Sequence, residues 1–271
     1  MSASLLLAGC GKMGGALLAG WLEGEYAASN ITVVEPFAET ASALRKQHGV
    51  FTVAKPDALP SSASPDVIVF AVKPQMMDDV APGYARFAES DCVYLSIAAG
   101  KTIDYFESKL GTNAAIVRSM PNTPAAVGRG MTVACGNANV SDAQSTLCRK
   151  LLSAVGEVAW VEDEGLLDPV TAVSGSGPAY IFLLAECMTE AGIEAGLPKE
   201  LAEQLARTTV AGAGELLRQS PEAAGILRQN VTSPGGTTAA ALDVLMAEDG
   251  MQQLFIRAID AATKRSRELA G

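Results

Sequence analysis

The segment Leu5-Leu6-Leu7-Ala8-Gly9-Cys10-Gly11-Lys12-Met13-Gly14 is an apolar run leading into Gly-x-Gly-x-x-Gly. In that pattern Gly9 permits a tight turn, Gly11 lets a pyrophosphate reach the backbone, and Gly14 lets a helix touch the strand. The helix that must follow begins with unpaired N–H groups and a positive dipole end. Ala8, Gly9, Cys10, Gly11, Lys12, Met13 and Gly14 are therefore candidate dinucleotide-binding positions. About twenty residues further on, the spacing at which a ribose-reading acid is expected, Glu35 closes the run Ile31-Thr32-Val33-Val34. Two readings stand for it. It accepts hydrogen bonds from the adenosine 2′-hydroxyl and repels a 2′-phosphate, or it is a solvated acid after a strand. Pro36 and Phe37 come next rather than an arginine, and Arg45 and Lys46 lie further along, which leans the expectation toward NADH over NADPH.

A second anion site is expected at Gly235-Gly236-Thr237-Thr238, which opens an Ala-rich helical stretch. Free N–H groups at a helix start bind an anion without a cation, and glycines allow close approach. The alternative is that Ser233 or the threonines only cap the helix. Lys73 ends an apolar strand at the edge where doubly wound sheets bind ligands, or is a solvated strand end before Pro74. Asn122, between two prolines, is a turn residue or a ligand. Ser176 reads as a helix cap with Pro178 in the first turn. The one histidine, His48, precedes Gly49 at a helix end, where it meets the dipole favourably, and reads as structural. Cys10, Cys92, Cys135, Cys148 and Cys187 are far apart, without Cys-x-x-Cys. They read as reduced, buried thiols of a cytoplasmic protein, with no metal site.

These groups need elements to hold them. Apolar runs at Leu5–Ala8, Ile31–Val34, Val67–Val72, Val93–Ile97, Ala115–Val117, Thr132–Ala134 and Val158–Val161 alternate with helical patterns at Met13–Leu22, Thr40–Gln47, Ile103–Leu110 and Asp142–Ala154. That alternation predicts an α/β fold around a largely parallel sheet. After Glu162 the pattern is helical only: one helix from Pro178 to Ala195, a second to about Arg218, then Thr237–Ala247 and Met251–Glu268. The expected organisation is an N-terminal Rossmann-type dinucleotide-binding domain, 1–162, followed by an all-α C-terminal domain, 163–271. The Ala- and Gly-rich helices present little bulk, so burial against a second copy, a homodimer, is expected.

The 271 residues hold 30 acidic and 20 basic side chains, a net charge of −10. That balance repels polyphosphate backbones and argues against a nucleic-acid partner. A compact monomer of this mass exposes roughly 11,000 Å². Leu6-Leu7-Ala8-Gly9-Cys10 has the look of a lipoprotein cleavage box, but no basic residue precedes it and no adequate apolar stretch leads into it, so lipidation is not expected. The run from Pro178 to Met188 is broken by Glu186 and reads as too short to span a bilayer; a soluble protein is expected.

Several segments in order resemble one family. They are Ala71-Val72-Lys73-Pro74-Gln75, Ile97-Ala98-Ala99-Gly100, Met120-Pro121-Asn122-Thr123-Pro124, Ser174-Gly175-Ser176-Gly177-Pro178-Ala179-Tyr180, and Val231-Thr232-Ser233-Pro234-Gly235-Gly236-Thr237-Thr238. Together they resemble pyrroline-5-carboxylate reductase across the whole chain. The resemblance implies reduction of the ring C=N of 1-pyrroline-5-carboxylate to L-proline by hydride transfer from NADH or NADPH. It also implies a C-terminal domain that dimerises by interlocking, with many members building decamers from dimers. By the same resemblance Ala71, Val72, Lys73, Pro74, Ile97, Ala98, Ala99 and Asn230 contact the cofactor. Glu164, Gly236, Thr237 and Thr238 bind substrate, with Thr238 the catalytic hydroxyl beside the ring nitrogen. Read from the residues alone, Glu164 is equally a solvated acid and Asn230 a helix C-cap. Two departures stand out: Lys55-Pro56-Asp57 replaces a frequent asparagine near the cofactor ribose, and a frequent His-Pro pair before the Thr-Ser-Pro-Gly-Gly segment is missing. Two rivals remain. A hydroxyacid dehydrogenase would carry a lysine on the long helix, and Pro178–Ala195 has none. A nucleotide-sensing protein would leave Gly-Gly-Thr-Thr idle.

Overall fold

The computed structural model describes residues 3–270. By packing the chain forms two compact units, one reaching Gly175 and including the chain from Thr263 onward, the other Ser176–Ala262.

The first unit is built on eight strands: β1 (Leu5–Ala8), β2 (Ile31–Val34), β3 (Phe51–Val53), β4 (Val67–Phe70), β5 (Val93–Ser96), β6 (Ala115–Met120), β7 (Gly130–Gly136) and β8 (Gly156–Trp160). Their order is β3-β2-β1-β4-β5-β6-β7-β8. All neighbours run parallel except β6 and β7, which pair antiparallel with Arg118 opposite Cys135. Strands β1, β4 and β5 are buried along their whole length, as strands covered on both faces must be, and so read as unbroken apolar runs. One face packs on helices α1 (Lys12–Glu23) and α5 (Asp142–Ser153). There Trp21 is fully buried and its Nε1 donates to Leu151 O at 2.9 Å. The other face packs on the short α3 (Met77–Val80), a 3-10 segment Ala81–Phe87, and α4 (Ile103–Leu110). Phe70 centres this layer, edge-on to Tyr84 and stacked on Tyr94 and Phe106.

Five expected runs end or extend differently, among them Val93–Ile97, which ends at Ser96, and Val158–Val161, which is Gly156–Trp160. The run expected over Val67–Val72 leaves the sheet after Phe70, because Ala71 and Val72 turn beneath the glycine loop. The strands expected at Ala115–Val117 and Thr132–Ala134 lengthen through their antiparallel pairing. Strand β3, with only Val53 buried, and α3 with its 3-10 neighbour lacked a periodic apolar signal. Helix α2 (Ala38–His48) ends as expected, with Gly49 left-handed at φ 69° and its N–H on Arg45 O.

From Glu164 the chain is helical: a 3-10 turn Glu164–Leu166, α6 (Leu167–Val170), and a π-helical turn Thr171–Gly175. The expected Ser176 cap is not formed. Ser176 has helical dihedrals and makes no side-chain cap bond, because the π turn feeds the next helix directly. The stretch 164–194 is long and apolar enough to cross a membrane by length and composition alone. Glu186 lies inside α7 and does not break that helix.

The second unit holds α7 (Gly177–Glu194), α8 (Lys199–Gln219), α9 (Ala224–Asn230), α10 (Thr237–Leu245) and the first part of α11 (Met251–Ala270). Among its described residues only Ala202 and Ala206 are buried. Phe182 is 63% exposed, Leu183 56%, Val244 72% and Leu254 56%. So many exposed apolar side chains on one small unit mark it for interaction with another surface. The last turns of α11 pack in the first unit, where Ser266 Oγ donates to Asp168 Oδ1 at 2.7 Å.

Candidate active site

In the sheet order, β1 stands between β2 and β4, so the chain leaves it toward opposite edges on either side. A crevice opens at such a switch point, beyond the carboxyl ends of the strands. At the carboxyl ends of the adjacent strands β1, β4 and β5 come the glycine loop, Ala71–Pro74 and Ile97–Ala99.

The glycine loop is held by backbone contacts that only glycine permits. Gly9 has φ +84°, and a Cβ there would lie 2.6 Å from Val72 Cγ1. A Cβ at Gly14 would lie 2.7 Å from Gly9 O and 3.0 Å from the Ala71 Cβ. Gly11 differs: a Cβ there would meet nothing within 4 Å. The fold does not need glycine at this position, and the open space faces the start of α1. That helix has Gly11 as N-cap, no side-chain cap, no acid in its first turn, and Lys12 as first residue. Its N–H groups and dipole are free for an anion. These features fit a dinucleotide pyrophosphate.

Glu35 ends β2 and is only 6% exposed. Its Oε2 accepts from Cys10 N–H at 3.3 Å and its Oε1 from Phe37 N–H at 3.1 Å. This is a carboxylate pinned beside the glycine loop and not a solvated acid. Burial, and then the Glu35 charge, push the Cys10 thiol up to about 11. Lys73 is exposed after β4 and caps the 3-10 turn Pro74–Met76. Ala98 is buried, with its N–H on Ser96 Oγ at 3.2 Å. Asn122 is a clip: its Oδ1 accepts from Met131 N–H at 2.9 Å and its Nδ2 donates to Ser174 O and Oγ at 3.2 Å.

Glu164 is not a free surface acid. Its Oε1 pairs with Arg118 Nη1 at 2.7 Å and accepts the N–H of Ile103 at 2.9 Å. Sequence reading had no place for Arg118, although an arginine closing Ala115-Ile116-Val117 was a signal of a buried, paired charge.

In the second unit, Gly235 has φ +68° and Gly236 is the N-cap of α10, with no side-chain cap. The hydroxyls of Ser233, Thr237 and Thr238 make no capping bond, so the capping alternative is not realised and the first N–H groups of α10 stay available. Asn230 is the last residue of α9 rather than its C-cap, and its Nδ2 donates to Glu222 Oε2 at 3.3 Å. Among the described residues no group of three or more His, Cys, Asp or Glu is placed to hold a metal.

Residues 164–269 match the family model for pyrroline-5-carboxylate reductase dimerisation, and residues 5–100 match that for coenzyme F420-dependent NADP oxidoreductases. The chain is 40% identical to a pyrroline-5-carboxylate reductase of Pseudomonas aeruginosa over 97% of its length and 95% of the relative's. It belongs to the pyrroline-5-carboxylate reductase family. The solved reductase of Coxiella burnetii, at 35% identity, superposes with a TM-score of 0.94 over all of both chains. That of Plasmodium falciparum, crystallised with NADP bound, gives 0.83 at 29% identity, over 100% of this chain and 99% of that one. The protein is thus an NAD(P)-dependent oxidoreductase that reduces 1-pyrroline-5-carboxylate to L-proline, the final step of proline biosynthesis. The reductase is a homo-oligomer: the exposed apolar helices lie within the dimerisation match.

The space at Gly11 separates folding from coenzyme binding. Gly11→Ala should leave Tm close to wild type while raising KM for the reduced coenzyme by about 10-fold or more. An unchanged KM would place the pyrophosphate elsewhere.

Proposed function

We infer that the coenzyme is held by Ala8–Gly14, Glu35, Ala71–Pro74 and Ile97–Ala99, with Asn230 contributing from the helical domain. The working division is a coenzyme domain over 1–162 and a dimerisation and substrate domain over 163–271. Glu164, Gly236, Thr237 and Thr238 bind the substrate. The observation that carries this assignment is the uncapped start of α10 at Gly236, whose N–H groups suit a carboxylate. The bound nicotinamide supplies a hydride to the ring C=N carbon, and the ring nitrogen takes up a proton. Thr238 donates to or orients that nitrogen through its hydroxyl. A threonine is too weak an acid to be the proton's source, so water or the already protonated imine brings it.

Glu35 sets the coenzyme preference toward NADH, because a 2′-phosphate brought to this pinned carboxylate meets like charge. The apolar helices pair two copies into a dimer, from which a decamer can be built. The helical stretch through α7 is covered by that pairing and does not enter a membrane. Five free cysteines and this metabolic role suit the cytoplasm.

Oxidation of NADH or NADPH with 1-pyrroline-5-carboxylate, against hydroxyacid and ketoacid controls, tests the assignment. Thr238→Ala should lower kcat/KM by about 10- to 100-fold, the loss of one hydrogen bond to a charged group; wild-type kinetics would refute its role. Glu35→Ser should raise the NADPH-to-NADH ratio of kcat/KM by about 10-fold, and an unmoved ratio would remove Glu35 as selector. Sedimentation at micromolar concentration should give a multiple of the 27.9 kDa chain, whereas a monomer mass would exclude the pairing.

A further inference from the structure

The geometry points to Arg118 as the residue that positions Glu164 for the substrate. Arg118 lies on β6 and is 5% exposed. Its Nη1 donates to Glu164 Oε1 at 2.7 Å, and the same oxygen accepts the N–H of Ile103 at 2.9 Å. Both bonds fall on one oxygen. Glu164 Oε2 accepts none, and no buried side-chain oxygen among the described residues lacks a partner, so Oε2 is open to solvent. The carboxylate is therefore clamped by one oxygen and presents the other. Such an oxygen is an acceptor for the N–H of a protonated cyclic imine, whose cationic character it complements.

The clamp also ties two parts of the site. Ile103 is the first residue of α4 and follows the Ile97–Ala99 segment after Gly100-Lys101-Thr102, so a single oxygen holds both the start of α4 beyond β5 and the entry to the helical segment. Cys135, opposite Arg118 on β7, does not compete for the guanidinium. Burial first, then the charges of Glu164 and Glu162, push its thiol up to about 11, so it stays neutral. Glu164 is thus the carboxylate that answers the Arg118 charge. An unclamped glutamate must give up its side-chain freedom when substrate binds, which weakens binding; Arg118 removes that cost in advance.

This assignment rests on Glu164 contacting the substrate, and the test separates the two. Steady-state kinetics are measured for Arg118→Lys, Arg118→Met, Glu164→Gln and the double variants, varying each substrate in turn. Arg118→Met should raise KM for 1-pyrroline-5-carboxylate by about 10-fold with KM for the coenzyme changed less than about 2-fold, and Arg118→Lys, which keeps the charge without the fork, should show a smaller rise. In the Glu164→Gln background the same Arg118 changes should add less than about 2-fold, since coupled residues are not additive. Unchanged KM in the Arg118 variants beside a weakened Glu164→Gln would overturn the positioning role alone, as would fully multiplicative effects in the double variants. Wild-type kinetics for Glu164→Gln would remove the substrate role on which it rests. If Arg118→Met does not fold, as loss of one partner of a buried pair can cause, Arg118→Lys decides by the same criteria.

Discussion

Backbone meets backbone at the end of β1, and the shape of the glycine loop depends on that contact. The space where a side chain on Gly14 would lie is filled by Gly9 O and the Ala71 Cβ, and that on Gly9 by Val72. Helix α1 can therefore start against the strand ends, with its N–H groups aimed at the crevice. Gly9 N–H also bonds to Val34 O, and Glu35 N–H to Val53 O, so the ends of β1, β2 and β3 are fixed together. Glu35 gains its place from the same joint: its carboxylate is held by the loop it helps to shape.

The two units are stabilised by different means. The first is a sheet buried on both faces, with aromatic stacking around Phe70 and a Trp21 anchor in opposite layers. In the second, two buried alanines cannot supply a core, and its apolar side chains are instead turned outward. Large exposed apolar faces are tolerated where another surface covers them. Self-association is thus part of how this unit is stabilised, rather than an addition to a finished fold.

Much of this was legible from the residues. Buried strands such as Leu5–Ala8 and Ile31–Val34 read as continuous apolar runs, and the glycine spacing marked the tight turn between β1 and α1. The missed pieces had no periodic signal. β3 is three residues long with Phe51 outward, α9 has no buried residue, and the 3-10 segment Ala81–Phe87 is broken by Pro82 and Gly83. The Ser176 cap failed because the π turn before it is set by packing: a Cβ on Gly175 would come within 2.5 Å of Met120 Cε. The Arg118–Glu164 pair joins residues separated by β7, α5 and β8, a contact that no spacing rule reaches.

Cys10 stands inside the coenzyme loop, one residue before the N-cap of α1, where a helix dipole would ordinarily favour a reactive thiolate. Burial and the neighbouring Glu35 outweigh the dipole and leave the thiol with a pKa of about 11. At neutral pH the group therefore stays a thiol, whereas the thiolate is the form that peroxides and alkylating agents attack. The carboxylate that closes β2 thus adds to burial in keeping the Cys10 thiol neutral, and a loop that carries a cysteine at a helix start is left chemically quiet.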